Sequence, residues 1–143
     1  MRPTALDTPF SVEQESAFIT AFPPRGIWKV AVRATDDRLV GFQVVEPFAT
    51  YTRAFDHVGT FGTYVDLDCR RQGIAHALFE ATFAAAPAKG YEKFFTFVRA
   101  DNDAALRTYL AHGFVEVGTA RGQARIRGQY VDEILIEREL GRS

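Results

Sequence analysis

The chain has 143 residues, the usual size of one domain, and 47% of them are hydrophobic, which is enough for a core. Its formal net charge of −1, with no cluster of Lys and Arg, argues against a protein dedicated to nucleic acid or to a membrane surface. The lone Cys69 cannot form an intramolecular disulfide, and we find no signal-peptide pattern and no apolar run long enough to span a membrane. We therefore expect a single domain over residues 1–143 and a cytoplasmic location.

The N-terminal region is predicted to be an arm followed by a helix. Residues 1–10 contain two prolines and no strand pattern, so we expect a non-strand arm there. Residues 11–22 begin with Ser11, carry Gln14 in capping-box spacing and end just before Pro23. This pattern predicts a short helix over residues 11–22.

Three strands are predicted next. Residues 27–34 and 39–46 are rich in β-branched and aromatic side chains, and the polar turn at residues 36–38 predicts an antiparallel hairpin. A third strand is expected within residues 57–66.

From Arg71 the apolar pattern changes to a helical period. The predicted helix ends near Pro87, and its buried stripe consists of Ile74, Ala77, Leu78, Ala81 and Ala85. The next strand is predicted at residues 93–98. Because a strand, a helix and a strand follow one another, the strands at 57–66 and 93–98 are expected to be parallel neighbours.

The C-terminal part is predicted as a helix and two strands. The helix runs from about Asn102, with Asp101 or Asn102 as its expected N-terminal cap, to Gly113, which supplies the left-handed C-terminal residue. Strands are expected at residues 114–117 and 130–137. The segment 121–129, with three arginines and no acid, is expected to be a basic loop between them.

Chemistry is first indicated at residues 65–78, where a predicted strand runs into a predicted helix. Such a junction directs unpaired backbone N–H groups and the positive end of the helix dipole at one place, which suits a phosphate or pyrophosphate. Arg70 and Arg71 add positive charge. The alternative is that Gly73 only permits a tight turn.

A second candidate is the later helix. Asn102, Ala105 and Tyr109 are spaced at +3 and +7 and share one side of it. The alternative for Tyr109 is a half-buried core tyrosine without a chemical role.

Together the two segments resemble the GNAT superfamily of acyl-CoA-dependent N-acyltransferases. The family's pyrophosphate loop, Arg/Gln-x-x-Gly-x-Gly/Ala, is matched by Arg70, Gly73 and Ala75. Its later motif, Asn-x-x-Ala-x-x-x-Tyr followed by Gly-Phe, is matched by Asn102, Ala105, Tyr109, Gly113 and Phe114. With the last predicted strand, the resemblance covers roughly residues 27–140.

The resemblance implies an α/β (α+β) fold, with a mixed and mostly antiparallel sheet, a central parallel β-α-β unit and helices on both faces. It implies that the CoA pyrophosphate is held by the segment Arg70, Arg71, Gln72, Gly73, Ile74 and Ala75. The strand ending at Val65 would splay from residues 93–98 and pair with the pantetheine arm, with the Val65 N–H facing the thioester oxygen. Asn102 would contact the cofactor arm, and Tyr109 would point at the sulfur.

Two features depart from the family. The missing strand pattern in residues 1–10 predicts that the first strand is absent or replaced. The strand before the loop lacks the Glu that the family often has there. A base must remove a proton from the amine, whose ordinary pKa is near 10.4. Residues near the strand that could do so are His57, for which a structural role is the alternative, and Asp56, Glu46 and Asp66.

The function predicted is therefore an acetyl-CoA-dependent N-acetyltransferase that acetylates a primary amine of a small molecule or peptide by direct attack in a ternary complex. The alternative is an acyl-CoA-binding sensor or assembly module without catalysis. The three histidines lack metal-ligand spacing, so we expect no metal. We expect no nucleic-acid or membrane partner, and the resemblance implies a homodimer.

Overall fold

The structure, a computed structural model, describes residues 10–14, 25–66 and 73–141. Its strands are β1 (Phe10–Gln14), β2 (Ile27–Arg33), β3 (Leu39–Pro47), β4 (Val58–Val65), β5 (Lys93–Arg99), β6 (Val115–Ile126) and β7 (Gln129–Glu139). Its helices are α1 (Ile74–Ala85), a short 3-10 helix (Pro87–Lys89) and α2 (Asp103–Ala111).

All the strands belong to one sheet in the order β1-β2-β3-β4-β5-β7-β6. Neighbouring strands are antiparallel except β4 and β5, which are parallel and are connected through α1. The predicted mixed, mostly antiparallel sheet with a central parallel β-α-β unit is confirmed.

The first hairpin forms as its sequence predicts. β2 and β3 pair in antiparallel register from Ile27↔Val45 to Val32↔Leu39. In the turn, Arg33 binds the Asp36 carboxylate through two donors, at 3.0 and 2.6 Å. These contacts close the turn between the two strands.

The predictions for the N-terminus are wrong where the structure describes it. Residues 10–14 form β1, so residues 11–14 are not helical, and a first strand is present at the edge of the sheet. β1 is held in antiparallel register on β2, from Phe10↔Arg33 to Gln14↔Lys29. This pairing outweighs the local capping pattern of Ser11 and Gln14. Residues 1–9 and 15–22 lie outside the described part of the chain.

The C-terminal hairpin also differs from the prediction. β6 is 12 residues long and runs through most of the expected basic loop. The turn is reduced to Arg127 and Gly128, which both have positive φ, at 52° and 78°. Arg121 and Arg125 are therefore exposed side chains on an edge strand.

The core lies between the sheet and the two helices. Phe61 of β4 stacks on Phe79 of α1 and meets Tyr109 of α2 edge-on, with ring centroids 5.5 and 6.0 Å apart. The helices α1 and α2 therefore pack against the same face of the sheet, so the predicted helices on both faces are not observed among the described residues. The buried residues of α1 are Ile74, Leu78, Phe79 and Thr82. Of the predicted stripe only Ile74 and Leu78 are buried, whereas Ala77, Ala81 and Ala85 are half-buried, because the helix turns its Phe79 side toward the core.

Candidate active site

A cleft of about 790 Å³ opens where β4 ends. Three elements form its walls: the last residues of β4, the first turn of α1 and one side of α2. Its lining includes Thr63, Val65, Gly73, Asn102 and Tyr109. The cleft thus brings together the two motif segments that the sequence singles out.

The end of β4 leaves a gap beside Val65. β4 and β5 pair only from Val58↔Lys93 to Thr60↔Phe95, although both strands continue. On the other side, the N–H of Asp66 donates to the carbonyl of Val40 at 2.8 Å. Because successive N–H groups of a strand point to opposite sides, the N–H of Val65 points toward the gap. The predicted splay is therefore present.

The first turn of α1 forms the anion-binding end of the cleft. Gly73, with φ 78°, precedes the helix, and its carbonyl accepts the N–H of Ala77 at 3.0 Å. The N–H groups of the first turn have no partner within the helix and carry the positive end of its dipole. A Cβ on Gly73 would meet no atom of the described residues within 4 Å, so those residues leave the approach open. Of the predicted loop, Arg70, Arg71 and Gln72 lie outside the described residues.

Asn102, one of the two predicted candidates, is the N-terminal cap of α2. Its side-chain oxygen accepts the N–H of Ala105 at 3.1 Å. The amide nitrogen of Asn102 can therefore donate to a molecule bound in the cleft, because an amide has two further hydrogens.

Tyr109 lies at the base of the cleft and is only 7% exposed. Its hydroxyl is 3.0 Å from Oγ1 of Thr63. Burial raises the pKa of the Tyr109 hydroxyl, and the hydrogen bond between Tyr109 and Thr63 offsets part of that rise. The phenol is therefore held in its protonated form.

The structure does not bring His57 to this cleft. His57 is exposed and precedes β4, whereas Val65 is the last residue of that eight-residue strand. A strand of this length separates the two residues by about 26 Å. This distance argues against direct catalysis by His57. Nor do the other base candidates line the cleft: Glu46, Asp56 and Asp66.

The cleft also contains residues that the sequence reasoning did not select. Thr63 lies two residues before Val65 on the same face, a spacing that could have indicated it. His112 follows Tyr109 by three residues and stacks on Phe79 at 4.1 Å. Its Nε2 lies 3.3 Å from Nδ1 of His76. Arg107 adds a cation to the lining.

Comparisons with known proteins agree with this geometry. A model described as the acetyltransferase (GNAT) family matches residues 4–114. A phosphinothricin N-acetyltransferase of Streptomyces coelicolor is 28% identical over 141 residues, which cover 96% of this chain and 82% of that protein. A GNAT-family acetyltransferase from Streptococcus pneumoniae has the same fold, with a TM-score of 0.77 at 17% identity, covering 93% of this chain and 100% of that one.

A further structure, a GNAT superfamily phosphinothricin acetyltransferase from Sinorhizobium meliloti in complex with acetyl-CoA, has a TM-score of 0.73 at 19% identity. The aligned part covers 81% of this chain and 62% of the Sinorhizobium meliloti chain. The fold, the cleft and the family model define an acyltransferase that takes its acetyl group from acetyl-CoA. The chain belongs to the acetyltransferase (GNAT) family, and it is an N-acetyltransferase.

The described residues contain no group of three or more His, Cys, Asp or Glu side chains that could hold a metal ion. Within the same residues, no helix has the length and hydropathy needed to cross a membrane.

Proposed function

We propose that the protein transfers the acetyl group of acetyl-CoA to a primary amine of a small molecule or peptide, by direct attack while both substrates are bound. The observation that carries the proposal is the convergence of three elements on one cleft: the Val65 N–H, the first turn of α1 and the Tyr109 hydroxyl. Acetyl-CoA supplies an activated acyl group and a thiol leaving group.

Binding of the donor is assigned to backbone groups. The N–H groups of Gly73, Ile74 and Ala75, with Arg70, Arg71 and Gln72 before them, hold the pyrophosphate at the positive end of α1. The pantetheine arm lies in the gap beside β4, where Asn102 donates to it. What supports this assignment is the open approach at Gly73 and the early end of β4–β5 pairing.

The chemical step is assigned to Val65 and Tyr109. The amine nitrogen forms a bond to the carbonyl carbon, and the Val65 N–H stabilises the negative charge that develops on the oxygen. The carbon–sulfur bond breaks with its electron pair moving to sulfur, while the proton lost by nitrogen passes to sulfur through solvent. Tyr109 donates a hydrogen bond to the departing sulfur. Full proton transfer would be uphill by about 2 kcal/mol even from an unperturbed tyrosine to a cysteine-like thiolate, and burial of Tyr109 raises its pKa further.

The acceptor is proposed to be amino-acid-like. The support is the phosphinothricin N-acetyltransferase of Streptomyces coelicolor, which aligns with nearly the whole chain. Phosphinothricin, free amino acids and short peptides with a free N-terminus are therefore the first acceptors to compare.

We also propose a homodimer in the cytoplasm. β6 lies at the edge of the sheet, and Val115 and Val117 on it are 55% and 49% exposed, which supports an apolar contact surface. The family resemblance favours the same assembly.

The experiment is an acceptor screen that follows release of free thiol from acetyl-CoA. We expect release above the amine-free rate with at least one primary amine, and a product heavier than the amine by one acetyl group in mass spectrometry. The matched control is the N-methylated tertiary form of the same amine, which has no hydrogen to lose. Acetyl-CoA binding without thiol release from any amine would instead favour the non-catalytic binding module. A missing first strand would have favoured that module, but β1 is present.

A further inference from the structure

A buried chain of hydrogen-bonding groups runs from the middle of the sheet to the cleft. Gln43 of β3 is fully buried, and its amide nitrogen lies 3.1 Å from Oγ1 of Thr63. The same Oγ1 lies 3.0 Å from the hydroxyl of Tyr109. Thr63 and Tyr109 line the cleft, whereas Gln43 lies behind them.

Strand register explains why Gln43 and Thr63 meet. They are direct partners across β3 and β4. The hydrogen bond from Asp66 to Val40 marks a hydrogen-bonded position, and the alternation of an antiparallel ladder makes Gln43↔Thr63 a non-hydrogen-bonded pair. Side chains of such pairs lie closest together. The contact is therefore built into the sheet.

The orientation of the Gln43 amide decides which group donates and which accepts in each of these hydrogen bonds. An amide nitrogen can only donate, so Oγ1 of Thr63 accepts the hydrogen of Gln43. The hydroxyl hydrogen of Thr63 is then available to the oxygen of Tyr109. Tyr109 in turn keeps its own hydrogen for an acceptor in the cleft.

The opposite direction would follow from the opposite orientation of the amide. If Oε1 of Gln43 faced Thr63, Thr63 would donate to it, Tyr109 would donate to Thr63, and a lone pair would face the cleft. In the observed orientation, Oε1 of Gln43 is buried with no hydrogen-bond partner among the described residues.

We propose that Gln43 is a positioning residue that acts through Thr63 to turn the hydroxyl hydrogen of Tyr109 toward the departing sulfur of CoA. The inference rests on the proposed function of the cleft. No proton leaves Tyr109 in this step, because the electron pair of the broken carbon–sulfur bond stays on sulfur and is stabilised by the donated hydrogen bond.

The first test compares variants of similar volume. Gln43→Leu removes the donor and Thr63→Val removes the middle hydroxyl. We expect kcat to fall about tenfold in each, with KM for acetyl-CoA changed less than about twofold. Thr63→Ser keeps the hydroxyl, so its kcat should stay close to that of the wild type. Thr82→Val is the matched control, because Thr82 is also buried and its hydroxyl has no partner among the described residues.

The second test separates orientation of Tyr109 from a general packing effect. In a Tyr109→Phe background, Gln43→Leu should cause no further loss of kcat, because there is no hydroxyl left to orient. If Gln43→Leu lowers kcat by the same factor in both backgrounds, the inference is overturned. Thr63→Val in the same two backgrounds gives the same decision if Gln43→Leu does not fold.

A third measurement needs no acceptor. The thiol pKa of bound CoA, followed by thiolate absorbance, should be about one unit higher in Gln43→Leu and Thr63→Val than in the wild type, because the donor to the thiolate is lost. An unchanged thiol pKa overturns the inference while leaving the proposed function intact. Failure of the wild type to bind CoA is a different result, and it overturns the proposed function and the inference together.

Discussion

Tyr109 shows how one residue's surroundings define its chemistry. Its ring packs edge-on against Phe61, Phe79 and Phe114. The same burial that fixes the ring raises the pKa of its hydroxyl, so the phenol is a hydrogen-bond donor at neutral pH and a poor acid. A core tyrosine and a chemical tyrosine, which the sequence presents as alternatives, are therefore the same residue here.

Tyr109→Phe should lower kcat by about tenfold to a hundredfold, because the hydroxyl interacts mainly with the sulfur as it departs. The affinity for acetyl-CoA should stay within about twofold of wild type. Initial rates over a range of acetyl-CoA concentrations and calorimetric titration measure the two quantities. Tyr130→Phe is the control, since Tyr130 is 70% exposed and does not line the cleft. If Tyr109→Phe has the kcat of the wild type, the hydroxyl of Tyr109 takes no part in the reaction and the residue only packs in the core.

Gly73→Glu should abolish the rise in melting temperature that acetyl-CoA causes in the wild type. The substitution places a side chain and a negative charge where the pyrophosphate is expected. Gly128→Glu provides a closely matched control. Gly128 has the same φ of 78° and the same open surroundings, but it lies in the β6–β7 turn. A similar rise in melting temperature with acetyl-CoA in both variants would show that the first turn of α1 does not bind the pyrophosphate.

At the scale of single elements, a helix or strand is predicted correctly where its own apolar periodicity determines it, and wrongly where pairing with another strand determines it. The α1 helix and the strands at residues 27–34, 39–46 and 93–98 follow from apolar periodicity, because each buries one face. Residues 11–14 carry a helical capping pattern, yet they form a strand, since pairing with β2 satisfies their backbone groups. The sequence likewise predicts only a short strand at residues 114–117, whereas β6 has 12 residues. Its polar sequence does not reveal that β7 pairs with it along its length.

Gly59 is the point at which β4 meets β5, and its lack of a side chain allows the close fit. A Cβ there would lie 2.7 Å from Cγ1 of Val45 and 3.1 Å from the rings of Phe94 and Tyr91. Gly59→Ala should therefore destabilise the protein by about 1–3 kcal/mol. Gly62→Ala should be nearly neutral, because a Cβ at Gly62, in the same strand, would have no atom of the described residues within 4 Å. Urea unfolding of the two variants measures the difference, and equal stabilities would show that the β4–β5 contact is not tightly packed.

At the scale of the whole molecule, the site depends on contacts between distant residues. Gln43 and Thr63 are 20 positions apart, and Thr63 and Tyr109 are 46 apart. The motif residues Gly73, Asn102 and Tyr109 could be selected from sequence because the family keeps their local spacing. Gln43 carries no such local signal. His57 was selected for proximity in sequence to β4, but the strand carries it to the opposite end.

Two buried tyrosines should make the folded protein sensitive to high pH. Burial raises the pKa of Tyr91 to about 12, compared with its ordinary value near 10 in the unfolded chain, and the Arg25 guanidinium offsets part of the rise. Burial also raises the pKa of Tyr109. Between these pH values the unfolded chain loses protons that the folded chain keeps, so the free energy of unfolding should fall as pH rises above about 10.

Tyr91→Phe tests this dependence. At pH 7 the variant should be less stable by about 1 kcal/mol, because the hydroxyl of Tyr91 donates to the carbonyl of Arg25 at 3.0 Å. Between about pH 10 and 12, the pKa values of Tyr91 in the unfolded and folded chain, its stability should decline less steeply than that of the wild type. Urea unfolding at several pH values gives both quantities, with exposed Tyr130→Phe as the control. Parallel declines for Tyr91→Phe and the wild type would show that ionisation of Tyr91 is not what destabilises the protein at high pH.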